Sequence, residues 1–121
     1  MSITNFKDLY CWKEAHQLVL NIYKISKTFP LDERFSLTNQ MRRSAISITS
    51  NIAEGFGRST AKDKLQFYAI AKGSIFELES QLLISKDLGY LKISDFNNLE
   101  LQISGVGKMI VGMMKSAPSR D

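Results

Sequence analysis

The stretch LTNQMRRSAISITSNIAEGFGR, Leu37 to Arg58, decides the fold because its two faces are unlike. At about 100° per residue, Leu37, Met41, Ala45, Ile48, Ile52 and Phe56 fall on one arc, the spacing of a buried helix face. Beside that arc runs a polar row: Gln40, Arg43, Ser47, Asn51, Glu54 and Arg58. Neighbours in this row are three or four residues apart, so their side chains stack along the helix and can hydrogen-bond. A solvated face more often carries lysine and glutamate in loose order. The glycines Gly55 and Gly57 read as the stop signal, giving a second helix over residues 37–56. Glu54 then faces the negative end of the helix dipole and needs a cationic partner. Arg58 and Arg43 lie on its own stripe.

The rest of the chain repeats the amphipathic pattern three times. A first helix is predicted over residues 8–28, with Asp8 near its start and Cys11, Ala15, Leu18, Val19, Ile22, Ile25 and Phe29 on its core arc. Leu9, Trp12, His16 and Tyr23 sit on its flank. Pro30 ends it, because proline cannot donate to a preceding turn. Ser36 is placed to cap the second helix. Ser59 or Thr60 caps a third over residues 61–88, with Asp63 in its first turn and Gly89 at its end. A fourth spans residues 95–115 behind Ser94 or Asp95, with Phe96, Leu99, Ile103, Val106, Met109, Ile110, Met113 and Met114 on one face. Gly105, Gly107 and Gly112 lower its helicity and leave room for a neighbouring helix. Met1 to Lys7 read as a lead-in and Ala117 to Asp121 as a frayed tail. Four such segments with short connections predict one all-α domain over residues 1–121, an antiparallel up-down four-helix bundle.

The third helix carries too much apolar surface for one face. Phe67, Tyr68, Ala71, Ile75, Leu78 and Leu82 form a broad core arc. Leu65, Ala69, Phe76 and Leu83 form a second row, displaced by about a third of a turn. Ile46 and Ala53 hint at the same on the second helix. Excess apolar surface on a small domain points to self-association, so Leu65, Ala69, Phe76, Leu83 and Ile46 are the candidate oligomer contacts. A wide core face in a tight bundle is the alternative.

Bulk properties narrow the class. The chain has 121 residues, 44% hydrophobic and 23% charged, enough for a single core and too apolar for disorder. Two prolines are few for a strand-rich sandwich. One cysteine excludes an intramolecular disulfide and fits a reduced, cytoplasmic setting. No signal peptide is read at the N-terminus, and no apolar run approaches the roughly 18 residues of a membrane span. The net charge is +4, unevenly placed: Arg34 to Gly73 holds seven basic and two acidic residues, a net of +5, and the remainder carries −1. Such an excess attracts nucleic acid or another polyanion, or is simply a solvated face. Arg42, Arg43, Arg58, Lys62, Lys64 and Lys72 are the candidate nucleic-acid contacts. Arg42 and Arg43 point about 100° apart, so they serve different surfaces.

Catalytic constellations are missing from the sequence. Cys11 and His16 are the only residues of their kinds and do not share a face well. No zinc ligand set and no Glu-x-x-His pair of a di-iron bundle is present. Glu77 and Glu79 point to different sides of their helix. Gly55-Phe56-Gly57-Arg58-Ser59 follows a helix and lacks the Gly-Lys-Ser/Thr ending of a phosphate loop. The row of Gln40, Ser47, Asn51 and Glu54 is expected to be structural. No enzyme activity, metal or cofactor is expected.

Several of these residues also carry a family resemblance. They are Phe6-x-Asp8-Leu9, Trp12-x-x-Ala15 and Phe29-Pro30 with Glu33 and Phe35. Next come Gln40-x-Arg42-Arg43-x-Ala45-x-Ser47-Ile48, Asn51-Ile52-Ala53-Glu54-Gly55 and Gly57-Arg58. The last are Phe67, Ala71, Gly73-Ser74, Glu77-x-Glu79 and Gln81-Leu82. With them the sequence resembles the small bacterial 23S rRNA-intervening sequence proteins. The resemblance implies an up-down four-helix bundle in a ring-forming homo-oligomer, typically a pentamer, without enzymatic activity. A related branch, the accessory protein of diversity-generating retroelements, is a basic pentamer that binds nucleic acid beside a reverse transcriptase. This chain is less basic. Two functions therefore stand at the sequence level: a homo-oligomer that binds RNA or DNA, and an adaptor or scaffold for a protein partner.

Overall fold

The computed structural model describes residues 3–117. Those residues form four α-helices and two short 3-10 turns, with no strand among them. The first 3-10 turn, Phe6–Asp8, is capped by Asn5, whose side chain accepts from the Lys7 amide at 3.0 Å. Helix α1 follows over Tyr10–Ser26, later and shorter than the predicted 8–28. It ends four residues before Pro30, which instead opens the second 3-10 turn, Leu31–Glu33. Helix α2 spans Leu37–Gly57, α3 Ala61–Asp87 and α4 Ile93–Ser116.

Each helix buries most of the arc its periodicity marks, while Val19, Ile25, Leu37, Met109, Met113 and Met114 pack half-buried at its edge and Phe56 and Phe67 are also half-buried. Leu18, Ile22, Met41, Ile48, Ile52, Leu78, Leu82, Ile103, Val106 and Ile110 are fully buried in one core. Helix α2 packs on α1 and α3, and α4 packs on α3 and α1, so each helix has two neighbours. Ser85 joins the core as a polar member. Its hydroxyl lies 3.2 Å from Met41 Sδ and donates to the Gln81 carbonyl at 2.8 Å, a bond within its own helix that satisfies the buried oxygen.

Three expected caps behave differently. Ser36 does occupy the N-cap of α2, but its hydroxyl makes no capping bond there. It donates to Glu33 Oε1 at 2.7 Å, and the Leu37 amide points at the same oxygen at 3.5 Å. Glu33 prevails because a carboxylate is a stronger acceptor than a hydroxyl and favours the positive end of the helix. Tyr90 Oη donates to Glu33 Oε2 at 2.8 Å, which ties the α3–α4 connection to this cap. Glu33 is held below the usual carboxylate range, first by the Ser36 hydroxyl and then by Tyr90, while the Tyr90 phenol is pushed up by Glu33. Helix α4 starts two residues before 95, with Lys92 at its N-cap, so neither Ser94 nor Asp95 caps it. Thr60 does cap α3, accepting from the Asp63 amide at 3.1 Å.

Glycines also divide by role. Gly55 does not stop α2. It lies buried inside the helix, where an added Cβ would sit 2.5 Å from Tyr68 Cε1. Of Gly105, Gly107 and Gly112, only Gly107 lies against a neighbour, with Ile75 at 3.5 Å from a built Cβ. Gly89 takes φ +80°, the left-handed turn that ends α3. Ala117, placed in a frayed tail by the sequence, is 3% exposed. Residues 118–121 of that expected tail, and Met1 and Ser2 of the lead-in, lie outside the described residues.

Candidate nucleic-acid interface

The polar row on α2 becomes a bonded chain. Asn51 Nδ2 donates to the Ser47 carbonyl at 2.8 Å and to Ser47 Oγ at 3.1 Å. Ser47 Oγ shares a 2.8 Å bond with Ser74 Oγ of α3. Glu54 finds its cation one turn on, with Arg58 Nη2 at 3.0 Å from Oε2. Arg43 and Gln40 stand exposed on α2. The row therefore serves two ends: Ser47 and Asn51 fasten α2 to α3, and Glu54 offsets the unfavourable dipole with its own arginine. Ser74, which completes this seam from α3, stood in the sequence only within the Gly73-Ser74 pair of the family resemblance, with no local signal for its partner. Gln81 Oε1 is buried and has no hydrogen-bond partner among the described residues.

The six candidate basic contacts do not form one patch. Arg42 folds onto α1, its guanidinium 4.5 Å above the Tyr23 ring and its Nε donating to Ser26 Oγ at 2.9 Å. Arg43 points away from it, as the 100° step requires. Arg58 lies 4.6 Å over Phe67 as well as beside Glu54. Lys64 Nζ donates to the Phe56 carbonyl at 2.8 Å and lies 3.4 Å from that of Gly55, neutralising the C-terminal end of α2. Lys62 is exposed at the start of α3. Lys72 borders a groove between α3 and α4 shared with Phe76, Gly107, Lys108 and Lys115.

The candidate oligomer contacts are on the outside. Phe76 is 59% exposed, Leu83 40% and Ile46 41%; Ala69 is exposed and Leu65 half-buried. Ile70 and Ile84 add exposed apolar surface on the opposite flank of α3.

Aromatic side chains gather along α1. Trp12 and His16 stack nearly parallel, centroids 4.8 Å apart and planes 16° from each other. Phe6 meets Trp12 edge-on at 5.2 Å. Phe6 also lines an open cleft of about 620 Å³ with Ser50, Ala53, Glu54, Gly57 and Arg58. Cys11 is buried, and burial pushes its thiol up to about 11. Among the described residues no group of three or more His, Cys, Asp or Glu could hold a metal ion, and no helix is long and apolar enough to cross a membrane.

An all-α protein of four helices, with a bonded polar seam and an apolar outer flank on α3, is the class these features define. Residues 7–112 match the family of the 23S rRNA-intervening sequence protein, and the chain belongs to that family. Its fold is similar to that of a protein of unknown function from the S23 ribosomal protein family of Bacteroides thetaiotaomicron VPI-5482. The two share 19% identity with a TM-score of 0.80 over 88% of this chain and 99% of the other. A search of curated proteins gives no match.

Proposed function

We propose that this chain is a non-catalytic, antiparallel up-down bundle that assembles into a homo-oligomeric ring and binds RNA or DNA through its pooled positive charge. The observation that carries this is the outer flank of α3, where Phe76 and Leu83 stand exposed one heptad apart in a single copy. A lone small domain gains nothing from such a row, and a second copy would remove it from water. The order of α2–α3 contacts supports the antiparallel part: Met41 meets Ser85, Ser47 meets Ser74 and Gly55 meets Tyr68. The family resemblance favours five copies. Each contributes +4, so such a ring would carry about +20 and attract polyanions from a distance.

Light scattering on purified protein tests the assembly. A mass several times 13.7 kDa supports it, and the single-chain mass overturns it. Titration of a labelled RNA at rising salt tests the binding. Affinity should fall steeply with salt, because each neutralised phosphate releases counterions. Absence of binding at low ionic strength would remove the nucleic-acid role and leave a scaffold for a protein partner.

A further inference from the structure

We propose that the outward face of α1, beside α2, is a stacking site for single-stranded nucleic acid, built from Trp12, His16 and Tyr23 and flanked by Arg42 and Lys24. The inference rests on the nucleic-acid part of the proposed function and names the surface and the form of the ligand. Trp12, His16 and Tyr23 are spaced by four and seven residues, which puts them on one stripe of α1. Eleven residues of helix rise about 16 Å, room for roughly five nucleotides at stacked spacing.

The stripe is already arranged as a platform. Trp12 and His16 are parallel to within 16°, and Phe6 closes the Trp12 end with its edge. His16 is exposed, which puts the outer end of the Trp12 stack within reach of a base. A solvated imidazole stacked in this way adds little to the core, whereas it extends the indole surface outward. At the other end the Arg42 guanidinium carbon lies 4.5 Å over the Tyr23 ring, and a guanidinium plane is a surface on which bases also stack. Its Nε and Nη2 are spent on Ser26 and the Tyr23 carbonyl, so the plane is fixed before any ligand arrives.

Charge on this face favours a polyanion. Lys13, Lys24 and Lys27 follow one another on the exposed row beside the rings. The one acidic residue of α1, Glu14, lies on the flank of Asn21, which bonds Gln102 of α4 at 3.0 Å. Past Phe6 the face continues into the 620 Å³ cleft beside Arg58. A duplex hides its base faces, so rings and guanidinium planes on a surface select single strands.

Trp12 is the only tryptophan, so its emission reports on this site alone. The experiment titrates the full chain with a twelve-nucleotide oligouridylate and with an RNA duplex of equal length, following Trp12 fluorescence and, in parallel, the anisotropy of end-labelled RNA. The single strand should quench Trp12 and bind more tightly than the duplex. H16A and K24A, both at exposed positions of α1, should each weaken single-strand binding roughly tenfold, while K92A, at the exposed cap of α4, should not. Salt-sensitive anisotropy with unchanged Trp12 emission, or equal binding by H16A, would overturn this site and leave the proposed function intact. Preference for the duplex would do the same. No binding to either RNA at low salt would overturn both.

Discussion

Ser47 of α2 and Ser74 of α3 share a 2.8 Å hydrogen bond across the interface between their helices, and Asn51 donates to the same Ser47 oxygen. Ser74 is 3% exposed, so its hydroxyl has traded water for this one partner. Ser74→Ala should lower stability by about 1 kcal/mol in urea unfolding. Ser47→Ala should cost a similar amount, since it strands the Ser74 hydroxyl. The double variant should cost less than the two together, and strict additivity in the cycle would deny the bond any energetic role.

Gly55 and Gly57 are two residues apart and should respond oppositely to alanine. At Gly55 a methyl group would meet Tyr68 Cε1 at 2.5 Å, Cδ1 at 2.7 Å and Phe67 Cβ at 3.2 Å. The Tyr68 ring is buried and cannot swing away, so Gly55→Ala should destabilise by roughly 1–3 kcal/mol. Gly57 has open space at its Cβ position and a φ outside the left-handed region. Gly57→Ala should therefore stabilise by about 0.5 kcal/mol. Thermal melts of both variants check the pair.

Cys11 should resist thiol reagents in the folded protein at pH 8 and react fully in urea, because it is buried and its thiol is raised to about 11. The same shift makes stability depend on alkaline pH. Below pH 9, the ordinary thiol value, both states hold the proton. Between 9 and about 11 the unfolded thiol ionises first, so the Cys11 contribution fades as pH rises through that window. A Cys11→Ala variant should show a flatter melting profile there than the parent chain.

Glu33 gives the opposite dependence at acid pH. Its carboxylate accepts from Ser36 and Tyr90 and is held below the ordinary value of 4.5, so its contribution is present above that value and lost as pH falls through the folded one. Tyr90→Phe removes one of these donors. That variant should have a lower Tm than the parent at pH 7, and the gap should narrow as the medium is taken to pH 3. A gap independent of pH would separate the Tyr90 hydroxyl from Glu33.

Phe76→Glu together with Leu83→Glu should convert the proposed assembly to single chains without loss of helix signal. Both side chains are on the outer flank of α3, so a charge there does not enter the core. Light scattering gives the mass and circular dichroism the fold. An unchanged oligomer would place the contact elsewhere, with Ile70 and Ile84 the next apolar surface on that helix.

Periodicity within one helix was legible in the sequence because it depends on residues three and four apart. Met41, Ala45, Ile48 and Ile52 on α2 and Ala15, Leu18 and Ile22 on α1 are all fully buried. Thr60 capped α3 for the same local reason. Ser36 failed as a cap because Glu33, a stronger acceptor, already faced the helix end and was itself held by Tyr90, 57 positions away. The candidate cations show the same divide. The sequence separated Arg42 from Arg43, yet nothing local told that Arg42 would lie over Tyr23, Arg58 over Phe67, or that Lys64 would close the end of α2.

The sequence by itself determined four helices, the arc each would bury and the spare apolar row on α3, since side-chain order along one helix is enough to set them. The tertiary structure decided which polar groups meet: Ser47 with Ser74, Glu33 with Tyr90, and Gly55 beneath the Tyr68 ring. Those pairings depend on the rotation and register of one helix against another, which close packing fixes only when all four are in place.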